Sequence, residues 1–149
     1  MKNLPRLYLD MDGVLVNFEK QLEDTIKMPI SKWMKLDRKA RWDPVIARKD
    51  FWSSMPWLPE GKKLFNYVRK YKPHILSAYV EHANDPNCIP GKAKWAMRNT
   101  GIPMSRINLV MRSQKQTYAS PASILIDDYE KNTKEFTARG GTGITSVSY

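Results

Sequence analysis

Two pairs of carboxylates carry the chemistry this chain offers. Asp10 and Asp12 stand two apart in "LYLDMDGVLVNFE", and Asp127 and Asp128 are adjacent at the end of "SILIDD". Acids brought together in one crevice repel and raise each other's pKa unless a cation joins them. With oxygen ligands alone, the cation that suits them is Mg²⁺, which takes one or two carboxylates, water and a substrate phosphate. A carboxylate can also attack phosphorus to give an acyl phosphate, provided cations neutralise the transferring group. A second acid two residues on is placed to move protons. A calcium loop of the EF type needs acids at alternate positions up to its glycine and a later glutamate, a pattern "DMDGVLVNF" lacks.

Such groups need elements that bring them together. "RLYLDMD" is short, nearly continuously apolar and stopped by Gly13, as a strand buried on both faces would be. Val14, Phe18, Leu22 and Ile26 recur every four positions, which predicts a helix over 14–27 that Pro29 ends. Residues 30–59 differ in texture, with Trp33, Trp42, Trp52 and Trp57, three prolines and many basic residues, and are expected to form a small, mostly helical insert. "PEGKKLFNYVRKY" predicts a helix closed by Pro73, and "HILSA" a strand ending in the Ser77 hydroxyl. A polar loop over 79–91 precedes a helix stopped by Gly101. "INLVM" and "SILIDD" read as further strands, "YEKNTKEFTARGG" as a helix and "GITSVSY" as a last strand. Alternation at these spacings predicts a Rossmann-like α/β fold of three layers, with about five mostly parallel strands and a small cap at about 17–59 inserted after strand one. One domain of 149 residues accommodates it. In such sheets ligands bind beyond the carboxyl ends of the strands. Those ends carry Asp10, Asp12, Ser77, Asp127 and Asp128, with Arg112 and Lys115 just past strand three.

The charge is uneven. Of a net +10, residues 20–72 hold 14 Lys/Arg and 6 Asp/Glu, hence +8, a field that favours phosphate-bearing partners. A single cysteine, Cys88, cannot form an internal disulfide, and no long apolar stretch or apolar leader is evident, so a cytoplasmic protein is expected.

In order and spacing, "DMDGV", the strand-end Ser77, an intervening lysine and "IDD" resemble the four motifs of the haloacid dehalogenase superfamily of Mg²⁺-dependent phosphohydrolases. More closely, "LDMDGVLVNFE", "FWSSMPWLPEG", "GKAKW", "LVMRSQKQT" and "LIDD" are similar to the deoxyribonucleotidase group, which dephosphorylates nucleoside monophosphates. The resemblance spans nearly the whole chain; its first and last motifs are specific, the serine and lysine motifs weak alone. It implies Asp10 as nucleophile and Asp12 as general acid and base. It implies Mg²⁺ held by Asp10, the Asp12 main-chain carbonyl and Asp128, with Asp127 close by. Ser77 would bind the phosphoryl oxygens beside a lysine, for which Lys92 is preferred over Lys115. The substrate-facing set it implies is Phe18, stacked on the base, with Ala78, Arg112, Lys115 and His82, where the family has a lysine; Trp33, Trp42, Trp52 or Trp57 could supply further aromatic faces, with Trp42 the one preferred. Two rivals stand beside the nucleotidase: a polynucleotide 3′-phosphatase drawn by the basic insert, and an idle α/β domain that binds nucleic acid without catalysis.

Overall fold

The computed structural model describes residues 4–81 and 83–147. Its centre is a sheet of five parallel strands: β1 (Arg6–Leu9), β2 (His74–Ala78), β3 (Ile107–Val110), β4 (Ser123–Asp127) and β5 (Thr142–Thr145), in the order β3-β2-β1-β4-β5. β1 lies in the middle, pairing Leu9 with Ile75 of β2 and with Ile126 of β4. The order reverses at β1, so its carboxyl end opens into the crevice between β2 and β4 where such folds bind ligand.

Side chains alternate across the sheet, and the two faces form two cores. Leu7, Leu9, Ile75 and Ile126 point to one face, under α4 (Pro59–Val68) and α5 (Cys88–Thr100), where Phe65, Val68, Trp95 and Ala96 meet them. Tyr8, Leu76 and Leu125 point to the other, under Phe136 of α6 (Glu130–Ala138) and Tyr118. Burying both faces accounts for the near-continuous apolar run at β1, since a parallel strand has no solvent side. Each fully buried Leu or Ile contributes about 1.5–3 kcal/mol relative to exposure.

Between β1 and α4 the chain forms three helices: α1 (Phe18–Ile26), α2 (Ile30–Trp33) and α3 (Arg38–Ala47). Asn17 caps α1 by accepting from the Lys20 amide at 3.0 Å, and Lys27 ends it in a left-handed conformation ahead of Pro29. The helix therefore starts at Phe18, not Val14. Residues 13–16 instead fold back on strand one, where the amides of Val14, Leu15 and Val16 all donate to the Met11 carbonyl. Leu22, Trp33, Val45, Phe51 and Trp52 of this segment belong to the same apolar cluster as Leu9 and Ile75, so the inserted helices pack continuously onto the sheet's first core. Other boundaries also differ from the sequence expectation. α5 begins at Cys88, with Pro90 in its first turn where no amide partner is needed. The last strand covers Thr142–Thr145; of the longer run expected, residues 148 and 149 lie outside the described part. Among the described residues no helix is long and apolar enough to cross a membrane.

Candidate active site at the carboxyl edge of the sheet

Asp10 follows β1 directly, its amide still held by the Ile126 carbonyl at 3.0 Å, so the sheet fixes its backbone. The residue is 5% exposed. Lys115, buried in the helical turn after β3, donates from Nζ to Asp10 Oδ1 at 2.9 Å and to Asp127 Oδ2 at 2.7 Å. Asn132 of α6 also donates to Asp127 Oδ2, at 3.1 Å, while the Tyr129 amide donates to Asp127 Oδ1 at 2.9 Å. Both oxygens of Asp127 are thus engaged. Oxygens of Asp10, Asp127 and Asp128 all lie within 4.8 Å of one another.

A second buried lysine serves the other acid. Lys92 of α5 donates from Nζ to Asp12 Oδ2 at 2.9 Å, to Ser77 Oγ at 3.0 Å and to the Ala78 carbonyl at 2.8 Å. Asp12 keeps a third of its side chain exposed. Its Oδ1 is buried with no hydrogen-bond partner among the described residues, an acceptor left free on the side away from Lys92.

Charge in this crevice does not balance. Burial pushes the Asp10 pKa well above the ordinary carboxylate range; Lys115 opposes the rise, but Asp127, Asp12 and Asp128 add to it. Asp128 is pushed up to about 6, first by burial and then by the charge of Asp127. Burial alone would pull Lys115 down, yet the charges of Asp10 and Asp127 outweigh it and hold its pKa above the usual lysine value. One lysine among three clustered carboxylates leaves negative charge over, in an all-oxygen donor set. Such a set fits a hard divalent cation.

Gly13 makes the approach of the two acidic pairs feasible. Its φ of +80° is one that glycine adopts without strain, and a Cβ there would fall 2.0 Å from Asp128 Oδ2. From this point a cleft of about 210 Å³ opens, lined among others by Asp12, Gly13, Asp128, Phe18, Ile30 and Leu58. Phe18, Asp12 and Asp128 therefore share one cavity.

The remaining expected residues sit as follows. Ala78 contributes its carbonyl to Lys92. Arg112 donates from Nη1 to Asn132 Oδ1 at 2.8 Å and Glu135 Oε1 at 3.1 Å, which tethers its guanidinium to α6. Trp42 packs edge-to-face on Trp33 at 5.1 Å, and Trp33 donates to the Arg41 carbonyl, so this pair is built into the insert's packing and not into the cleft wall. His82 lies outside the described residues. The structure adds Asn132, which sequence reasoning missed, and singles out Trp52 among the tryptophans of the insert. Asn132 orients Asp127, and its signal was its place in the first turn of the helix after "IDD". Trp52 lies with its ring over Lys92 Nζ at 5.4 Å, and nothing in the sequence separates it from the other tryptophans of the insert.

No family model matches the chain, and no curated protein matches its sequence. Solved structures do match its fold. A putative HAD-hydrolase, YfnB, from Bacillus subtilis bound to magnesium is 11% identical, covers 95% of this chain and 86% of its own, and has a TM-score of 0.60. A haloacid dehalogenase-like family hydrolase from Streptococcus pneumoniae is 12% identical over 97% of this chain and 85% of its own, with a TM-score of 0.56. A HAD family hydrolase from Deinococcus radiodurans R1 with bound phosphate and sodium is 11% identical over 94% and 79%, with a TM-score of 0.53. At these identities the likeness is one of fold: the chain has the architecture of haloacid dehalogenase-type hydrolases.

Proposed function

We propose that this chain is a Mg²⁺-dependent phosphomonoester hydrolase, and that its substrates are deoxynucleoside or nucleoside monophosphates. The observation that carries the reading is the convergence of Asp10, Asp12, Ser77, Lys115 and Asp128 at the carboxyl ends of the strands. The neighbours of the same fold support it, one bound to magnesium and another with bound phosphate. The motif resemblance supports it further.

The reaction divides into two displacements. An oxygen of Asp10 attacks phosphorus and forms an aspartyl phosphate, while Asp12 gives its proton to the departing alkoxide. Asp12 then takes a proton from water as that water attacks the same phosphorus, releasing inorganic phosphate and restoring Asp10. Ser77 and Lys115 are the donors placed to hold the phosphoryl oxygens. Mg²⁺ would be held by Asp10 and Asp128, with Asp127 and the Asp12 carbonyl beside them, and when bound it neutralises charge on the carboxylates and the transferring group. The sequence favours Lys92 for the phosphoryl role. The geometry favours Lys115, which touches Asp10, whereas Lys92 is spent on Asp12, Ser77 and Ala78.

Phe18 offers an aromatic face in the cleft that holds Asp12, and stacking of a base is worth about 1–3 kcal/mol. The +8 of residues 20–72 favours a polynucleotide end as substrate. Against that stands the groove continuous with the cleft at Asn17, Glu19 and Leu58, whose charged residues are Glu19, Glu23, Asp24 and Glu60 with only Lys20 opposite. Such a wall repels a chain of phosphates and suits a single monoester.

The deciding measurement is phosphate release from deoxynucleoside monophosphates and 3′-phosphorylated oligonucleotides, with Mg²⁺ or a chelator, for the native chain and Asp10→Asn. Mg²⁺-dependent turnover of mononucleotides, lost in Asp10→Asn, is expected. Turnover of oligonucleotides alone would replace the substrate, and no turnover of any ester would leave the idle nucleic-acid-binding domain.

A further inference from the structure

The insert reaches the reaction centre through one side chain that the mechanism above does not use. Trp52 is 1% exposed and lies far from Asp12 in sequence, on the segment leading out of α3. Its ring covers the Lys92 ammonium at 5.4 Å, a cation–π contact in a water-excluded setting. The indole N–H donates to Asp85 Oδ2 at 2.8 Å, which ties the ring to the loop before α5. On its other neighbours, Phe51 meets it edge-on at 4.8 Å and Phe18 stacks on it at 5.8 Å with 21° between the planes. The helix has been kept clear for this approach: a Cβ at Gly91, the residue before Lys92, would fall 2.7 Å from the Trp52 Cβ.

Lys92 in turn has three acceptors, and the one that is a reacting group is Asp12. Its ammonium is buried and its place is set by Ser77, the Ala78 carbonyl and the Trp52 ring. Lys92 holds Oδ2 and so fixes the orientation of the Asp12 carboxyl, whose buried Oδ1 has no partner among the described residues. We infer that Trp52 is a positioning residue: acting through Lys92, it holds the Asp12 carboxyl in the orientation that protonates the leaving group. Because Phe18 stacks on Trp52, a base bound on Phe18 bears on the same column of rings. This inference rests on the phosphohydrolase reading, in which Asp12 protonates the leaving oxygen.

General acid catalysis has a signature that a loss of packing lacks. A poor leaving group, such as the alkoxide of a nucleoside, needs the proton; p-nitrophenolate does not. The test compares kcat/KM, which reports the displacement that expels the leaving group and not hydrolysis of the shared aspartyl phosphate, for p-nitrophenyl phosphate and for a deoxynucleoside monophosphate at saturating Mg²⁺, in the native chain, Trp52→Leu and Gly91→Ala, with Asp12→Asn as the reference. Gly91→Ala displaces Trp52 from the helix without removing it, and stands in if Trp52→Leu does not fold. General acid catalysis is worth about 10²- to 10⁴-fold, and the alkyl ester is expected to bear about that loss in Asp12→Asn while the aryl ester loses far less. In Trp52→Leu and Gly91→Ala the alkyl ester is expected to slow about tenfold more than the aryl ester, a part of the same effect. Equal slowing of both esters, or of neither, in a folded variant overturns the inference and leaves the hydrolase reading standing. Native protein that hydrolyses neither ester overturns that reading itself.

Discussion

Two lysines meet aspartates at the same edge of the sheet, and they differ in what they leave behind. Lys92 faces one acid, Asp12, and completes its shell with the neutral oxygens of Ser77 and Ala78. Lys115 faces two acids, Asp10 and Asp127, with Asp128 alongside. The first group is balanced and holds a side chain still. The second is short of positive charge, and burial first, then the charge of neighbouring carboxylates, raises the pKa of Asp10 and Asp128. A region that stays anionic after its lysine has been counted is where a divalent cation and then a phosphoryl group lower the energy.

Four measurements bear on that contrast. The largest effect is expected from Asp10→Asn, where phosphate release falls by about 10³-fold or more, the order seen when a catalytic nucleophile is removed. A rate close to native would show that the charge-deficient group is not the reacting one. Next is Lys115→Met, which leaves buried carboxylates without their partner; equilibrium unfolding in denaturant without metal should show a loss of about 3–5 kcal/mol at neutral pH. Lys92→Met leaves an acid that is a third exposed, so a smaller loss of about 1–3 kcal/mol is expected. If Lys92→Met proves the costlier, the contrast fails.

The third measurement is of pH. Asp10 and Asp128 bind protons more tightly in the folded chain than in the unfolded one. Between the two pKa values the folded state carries the extra proton, so stability from these groups is present at low pH and lost as pH rises through about 6 for Asp128. Without metal, their contribution raises the melting temperature on acidification, and Asp128→Asn should flatten that slope. Mg²⁺ competes with the same protons, so its affinity, read by calorimetry, should weaken by up to about tenfold per pH unit below the Asp128 pKa. An affinity that ignores pH there would remove Asp128 from the ligand set. The smallest effect is the control: Lys39 and Asp43 form an ion pair on the solvent face of α3, and Lys39→Ala should leave the melting temperature unchanged.

Much of this site is legible in the chain itself, for a local reason. Asp10 and Asp12 follow a strand whose apolar run marks it as central, and Gly13 follows them because the turn needs a positive φ. Asp127 and Asp128 end a second such run. Periodicity and strand length carry that information within a dozen residues. Helix starts were less legible. Val14 has the right spacing for a helix, but its amide is drawn to the Met11 carbonyl, a contact no periodicity encodes.

The sequence leans to Lys92 over Lys115 by motif position, but the partners of the two lysines cannot be read from it. Both follow a strand and precede acids, and only the strand order β3-β2-β1-β4 brings Lys115 to Asp10, 105 positions away, and Lys92 to Asp12. The same holds for the tryptophans, alike in sequence, of which Trp33 and Trp42 pack on each other and Trp52 packs on Lys92. Sequence alone determined the parallel α/β sheet, the two acidic pairs at its strand ends and the oxygen-only chemistry they offer, because these follow from side-chain type and short-range periodicity. Tertiary structure decided which lysine neutralises which acid and which aromatic ring reaches the site, because those pairings are set by crossovers and packing between residues distant in the chain.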